Sequence, residues 1–162
     1  TTVKYTVNAQ QSYKATAAAK TYNAKNQTTK VTVKYGNTVL KRGTDYKITG
    51  VTKAKNAGKY KITVKGINNY KGTKTIYYTI NKAAQKSVKV KVNASKKKIT
   101  VSGVKAKAKV TYKSANKKVK VKNGKITVGK GVKKGTKVRI TVKVAATKNY
   151  KAYSKSIIYK VK

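Results

Sequence analysis

Valine, isoleucine and tyrosine recur at every second position along much of this chain, with lysine or threonine between them. The pattern runs through Val3-Lys4-Tyr5-Thr6-Val7, Lys30-Val31-Thr32-Val33-Lys34-Tyr35 and Lys59-Tyr60-Lys61-Ile62-Thr63-Val64-Lys65. It returns in Val88-Lys89-Val90-Lys91-Val92, Lys118-Val119-Lys120-Val121-Lys122 and Lys137-Val138-Arg139-Ile140-Thr141-Val142. Successive side chains of a β-strand point to opposite faces, so a period of two buries one face and wets the other. Such runs build antiparallel sheets with an apolar inner face and a polar outer one. The fold class expected is all-β. No segment carries a convincing helical period; Ala15 to Lys20 is a weak helix candidate set among strands.

Turn signals separate the runs. Asn123-Gly124, flanked by Lys122 and Lys125, is the strongest, because a two-residue Asn-Gly loop selects a type I′ hairpin. Counting back from that turn pairs Lys122 with Lys125, Val121 with Ile126, Lys120 with Thr127 and Val119 with Val128. Gly36-Asn37 is a second candidate tight turn, and further glycines punctuate the remaining loops.

The chain also resembles itself. Lys59-Tyr60-Lys61-Ile62-Thr63-Val64-Lys65 matches Lys137-Val138-Arg139-Ile140-Thr141-Val142-Lys143, 78 residues later. Asn69-Tyr70-Lys71 matches Asn149-Tyr150-Lys151 after 80 residues, and Ile76-Tyr77-Tyr78 resembles Ile157-Ile158-Tyr159. Two related units ending in the same strand–loop–strand form are expected, 1–81 and 82–162, with the boundary near Asn81 to Gln85. Each is near the lower end of size for independent stability.

Tyr22-Asn23-Ala24-Lys25, Val31-Thr32-Val33-Lys34-Tyr35-Gly36-Asn37 and Leu40-Lys41-Arg42-Gly43-Thr44-Asp45-Tyr46 together carry a resemblance. Asn56-Ala57-Gly58-Lys59-Tyr60 and Gly66-Ile67-Asn68-Asn69-Tyr70-Lys71-Gly72 continue it over most of residues 20–80. This stretch resembles the bacterial immunoglobulin-like repeats of large surface and cell-wall proteins from Gram-positive gut bacteria. The second unit is similar more loosely, through Tyr112-Lys113-Ser114-Ala115-Asn116 and Asn123-Gly124-Lys125-Ile126-Thr127-Val128. The resemblance implies two tandem immunoglobulin-like β-sandwiches, secreted or at a bacterial cell surface, serving as stalk or adhesive modules. Members of that family carry Asp and Glu on the same surfaces; this chain does not.

The chain has 43 Lys+Arg against one acidic residue, Asp45, a formal net charge of +42 over 162 residues. Like charges crowded on one body oppose the compact state, so folding alone does not call for this imbalance. A bias toward Lys, Asn, Ile and Tyr can follow from an AT-rich genome, but that would not remove Glu. The missing acids require selection for charge, or engineering. With no Met at position 1, the chain reads as a processed or excised fragment of something longer. No apolar run approaches the ~18 residues of a membrane-spanning helix.

What is missing argues against catalysis, although a lysine nucleophile is conceivable; with so many lysines a surface role is the favoured one for each. There is no His, Cys or Glu, so acid–base pairs, triads and carboxylate metal sites have no residues to be built from. A non-enzyme without metal or cofactor is expected. Asp45 invites an isopeptide reading, in which a buried carboxyl shuttles protons for a Lys–Asn link, but the favoured reading is a turn acid in Gly43-Thr44-Asp45-Tyr46 accepting local backbone N–H bonds. The sequons Asn26-Gln27-Thr28 and Asn93-Ala94-Ser95 carry no weight in a chain this rich in Asn, Ser and Thr. Lys130-Gly131-Val132-Lys133-Lys134-Gly135-Thr136 lacks the spacing of a phosphate loop. Tyr5, Tyr35 and Tyr60 read as core residues replacing Phe and Leu, and Tyr70 and Tyr150 as candidates for corner tyrosines that bond back to backbone.

The lysines therefore carry the functional expectation collectively. Lys89, Lys91, Lys118, Lys120, Lys122, Lys125, Lys137, Arg139 and Lys143 fall at outward strand positions and are the expected polyanion-binding residues. Lysine is a compact point charge suited to phosphate, sulfate or carboxylate polymers without strict geometry. The expected partners are acidic glycans, teichoic-acid-like wall polymers and nucleic acid bound non-specifically, with an anionic membrane surface as a further possibility; a monomer is expected. Two other readings stand beside this one. In the first the chain is a supercharged nucleic-acid or cell-entry carrier, natural or engineered. In the second it is a purely structural stalk.

Overall fold

A computed structural model describes residues 12–162, and the strand expected at residues 3–7, with Tyr5, lies outside them. The described chain is all-β, built from several sheets, with a single 3₁₀ turn at Lys105–Lys107 as its helical element. The chain divides into two compact units, Thr1–Asn81 and Lys82–Lys162.

In the first unit the strands are β1 (Lys14–Ala17), β2 (Lys20–Thr21), β3 (Gln27–Thr28), β4 (Val31–Tyr35) and β5 (Thr38–Val39), followed by β6 (Tyr46–Gly50), β7 (Lys53–Ala54), β8 (Gly58–Gly66) and β9 (Thr73–Asn81). One sheet runs β1-β4-β5, a second β2-β9-β8-β6, and β3 and β7 form a small ladder. Both larger sheets feed one core of Tyr13, Val33, Leu40, Tyr46, Ile62, Val64, Tyr78 and Ile80. The arrangement is a sandwich whose inner positions are those the alternation selects.

The helix candidate Ala15 to Lys20 is corrected: its residues enter two sheets. Ala15 and Ala17 pair antiparallel with Val33 and Val31, while Lys20 pairs parallel with Ile80. Alanine favours helix intrinsically, but pairing with β4 and then with β9 outweighs a propensity of a few tenths of a kcal/mol per residue. The backbone crosses from one sheet to the other at Ala18 and Ala19, and Ala18 N–H donates to Lys30 O at 3.1 Å.

In the second unit the strands are β10 (Lys89–Asn93), β11 (Lys98–Ser102), β12 (Val110–Ser114), β13 (Val119–Lys122), β14 (Lys125–Val128), β15 (Lys137–Val144) and β16 (Tyr153–Lys160). They form a four-stranded sheet, β10-β11-β14-β13, and a three-stranded sheet, β12-β15-β16, all antiparallel. Val90, Ile99, Val119 and Ile126 from the first sheet meet Val138, Ile140, Val142, Val144 and Tyr159 from the second in one core.

The β13–β14 hairpin has the register counted from its turn, Val119 with Val128 through Lys122 with Lys125. Asn123 and Gly124 both have positive φ, 48° and 79°, as a type I′ turn requires. The internal repeat corresponds to the last hairpin of each unit, β8–β9 and β15–β16.

Two tyrosine expectations divide. Tyr60 is half-buried, packs against Tyr78 with centroids 5.4 Å apart, and its hydroxyl donates to Asn56 O at 2.7 Å. Tyr35 is not a core residue: it is 38% exposed at the end of β4, tilted against Tyr70 at 6.0 Å. Its strand ends there, at the Gly36-Asn37 turn. Tyr13, which the sequence reading did not select, also ties distant backbone together through its hydroxyl. It accepts from Gly66 N–H at 3.1 Å and lies 2.9 and 2.8 Å from Val64 O and Gly72 O, to one of which its single proton is donated at a time.

Candidate polyanion-binding faces

All nine predicted cationic residues are exposed, and all belong to the second unit. They are not one patch. Lys89 and Lys91 on β10, Lys118 just before β13, Lys120 and Lys122 on β13, and Lys125 on β14 belong to the four-stranded sheet. Lys137, Arg139 and Lys143 lie on β15, the middle strand of the other sheet. Since the inner faces of the two sheets share a core, the two groups look outward on opposite sides of the sandwich.

The four-stranded face holds the denser arrangement. Asn93 opposes Lys98, Lys98 opposes Lys125, and Lys125 opposes Lys122. Three ammonium-bearing side chains thus stand side by side on β11, β14 and β13, adjacent strands lying about 4.8 Å apart. Lys98 was missed among the predicted residues. Its own strand, Lys98-Ile99-Thr100-Val101, points it outward, but its place beside Lys125 depends on β11 pairing with β14, a contact between segments distant in sequence. Toward the β10 edge, Lys89 opposes Ser102 and Lys91 opposes Thr100, so cations there alternate with hydroxyls.

The three-stranded face is more dilute. Lys143 stands between Thr111 and Ser154, Arg139 opposes Ile158, and Lys137 opposes Lys160. Lys143 also borders a shallow depression shared with Thr111, Tyr153 and Ser154.

Neither face carries an Asp or Glu side chain of its own. Asp45 is in the first unit and is engaged locally: its carboxylate accepts from Lys41 N–H at 2.6 Å, and its own N–H donates to Lys41 O at 2.8 Å. The turn reading of Asp45 holds in this geometry. Among the described residues no group of three metal-ligating His, Cys, Asp or Glu side chains occurs. Burial raises Tyr112 above its ordinary value, and burial followed by the charge of Tyr60 raises Tyr78.

What the faces can do chemically is present many ammonium donors without an acceptor partner. That favours extended anions carrying several charges, which engage neighbouring lysines together. No family model, curated protein or solved structure matches this chain.

Proposed function

We propose that this chain is a non-enzymatic cationic module of two tandem immunoglobulin-like sandwiches, attaching electrostatically to polyanions at a bacterial surface. The strand order supports the immunoglobulin-like part. Labelled A to G in chain order, the second unit pairs A-B-E-D in one sheet and C-F-G in the other, the order of a seven-stranded immunoglobulin domain. The placement at a cell surface rests on the resemblance of residues 20–80 to bacterial surface repeats.

The observation that carries the binding reading is the lysine row Lys98–Lys125–Lys122, held side by side on an exposed sheet face in a chain of net charge +42. Like charges directly opposite each other destabilise a sheet. A row kept in that arrangement, with no acid to relieve it, fits a surface whose counter-charges arrive with a ligand. Binding by this means has little sequence preference and releases counterions.

The test is a titration of duplex DNA, heparin and a wall polymer between about 50 and 500 mM salt. Engagement of ~8 phosphates on duplex gives a log–log salt slope near −7. Replacing Lys98, Lys122 and Lys125 together by Thr lowers the magnitude of that slope by about 3. Binding that does not respond to salt, or a slope untouched by the triple substitution, rejects the proposal.

A further inference from the structure

The first unit carries a different kind of surface. The outer face of its β2-β9-β8-β6 sheet holds Lys59, Lys61 and Lys65 on β8, Lys47 on β6, and Tyr77 on β9. All five are exposed. Tyr77 is 49% exposed, against 0% for its neighbour Tyr78, which fills the core from the other side of the same strand. Lys61 is the cross-strand partner of Tyr77, and the Lys59 ammonium lies 4.1 Å from the centre of its ring. The rest of that face is threonine: Thr63 opposes Thr75 and also Thr49, and Thr79 opposes Lys59. β2 pairs with β9 only at Ile80 and Asn81, so the Tyr77 side of β9 is not covered by its neighbour strand.

A half-exposed aromatic ring among several cations, one of them over a ring face, is an arrangement on which single-stranded nucleic acid binds: a base stacks on the ring while phosphates meet the ammonium groups. We infer that Tyr77, with Lys59 and Lys61, forms a stacking platform for the unpaired bases of a single-stranded nucleic acid. This rests on the polyanion reading and narrows the polyanion. Heparin as a probe separates this reading from an acidic glycan.

The equivalent position of the second unit provides an internal comparison. There Ile158, 53% exposed, stands opposite Arg139 as Tyr77 stands opposite Lys61. The charge partner is kept and the aromatic ring is absent, so stacking belongs to the first unit while both units contribute charge.

The experiment uses the full chain at about 100 mM salt with three probes: an oligothymidylate of about twelve nucleotides, a duplex of the same length, and heparin. Tyr77→Thr puts a β-branched strand former at the exposed position, and Tyr77→Phe keeps the ring. Tyr77→Thr should weaken the single strand about 5- to 150-fold while changing duplex and heparin by less than about twofold, because a duplex hides its base faces. Tyr77→Phe should bind the single strand within about twofold of the unaltered chain. Thermal melting of each variant separates a binding loss from a folding loss. Equal losses on all three probes, a loss on heparin in place of the single strand, or a melting change with no binding change would each overturn the stacking platform. In the last case Tyr77 serves only as a seat for Lys59. Absence of binding to all three probes by the unaltered chain would overturn the wider polyanion reading as well.

Discussion

Lys122 and Lys125 face each other across the two-residue turn Asn123-Gly124, both exposed. Lys125 also faces Lys98 on its other side. Reversing its charge turns two repulsive pairs into two attractive ones. Lys125→Glu should therefore stabilise the second unit by about 1 kcal/mol, each cross-strand pair contributing a few tenths. For a unit of this size that is a rise of about 4–8 °C in melting temperature at low salt. A fall would mean that the lysine row is not under electrostatic strain.

Two buried tyrosines should respond with opposite signs to loss of a hydroxyl. Tyr13 is 1% exposed, and its hydroxyl is bound to backbone groups at the end of β8 and in the loop that follows. Tyr159 is 0% exposed, and its hydroxyl has no hydrogen-bond partner in the core. An unmade buried hydrogen bond costs about 1–3 kcal/mol, whereas a made one contributes about 1. Tyr13→Phe should lower the melting temperature of the first unit, and Tyr159→Phe should raise that of the second or leave it unchanged. Denaturant unfolding of the two variants checks both signs.

The parts legible in the sequence were those set by local chemistry. Alternation gave β8 and β15 their inner faces, because a half-buried strand needs nothing but period two to declare itself. The Asn123-Gly124 turn fixed its hairpin register, because an I′ turn leaves only one pairing. What escaped depended on distant partners. Ala15 and Ala17 become strand only because Val33 and Val31 lie beside them. Ile76-Tyr77-Tyr78 is an unbroken apolar run whose phase is set by pairing with β8, so Tyr77 could not be told from Tyr78 as the exposed ring. Lys98 joins the cationic row only through the β11–β14 contact. The strand runs of the candidate faces were readable, while their division between two opposite sheet faces was not.

Two phenols should make the folded chain lose stability as the pH climbs above about 10. Burial raises Tyr112, and burial with the charge of Tyr60 raises Tyr78, against a smaller lowering by a backbone hydrogen bond. The folded chain then keeps phenolic protons that the unfolded chain releases from about pH 10, so their contribution is complete below that value and is lost as the pH climbs through the raised values. At high salt, which screens self-repulsion, melting temperatures should fall between about pH 10 and 12. The absence of a fall would exclude any role for the two phenols.

Salt should strengthen the free protein while weakening its complexes. In the second unit Lys98–Lys125, Lys122–Lys125 and Lys137–Lys160 are directly opposed, and in the first Lys14–Lys34 and Lys47–Lys65. Two unit charges about 5 Å apart in water repel by roughly 0.8 kcal/mol before screening. The screening length falls from about 10 Å at 0.1 M to 3 Å at 1 M, which removes roughly 0.3 kcal/mol per pair. Three pairs give about 1 kcal/mol in the second unit, or a rise of about 4–8 °C between those concentrations. Lys125→Glu supplies the control, since it makes two of those pairs attractive and screening then removes stability. Its melting temperature should rise less with salt than that of the unaltered chain, or fall, even though it starts higher. Parallel salt curves for the two proteins would assign the effect of salt to something other than the opposed lysines, and would leave the cationic row without the strain that ligand binding is proposed to relieve.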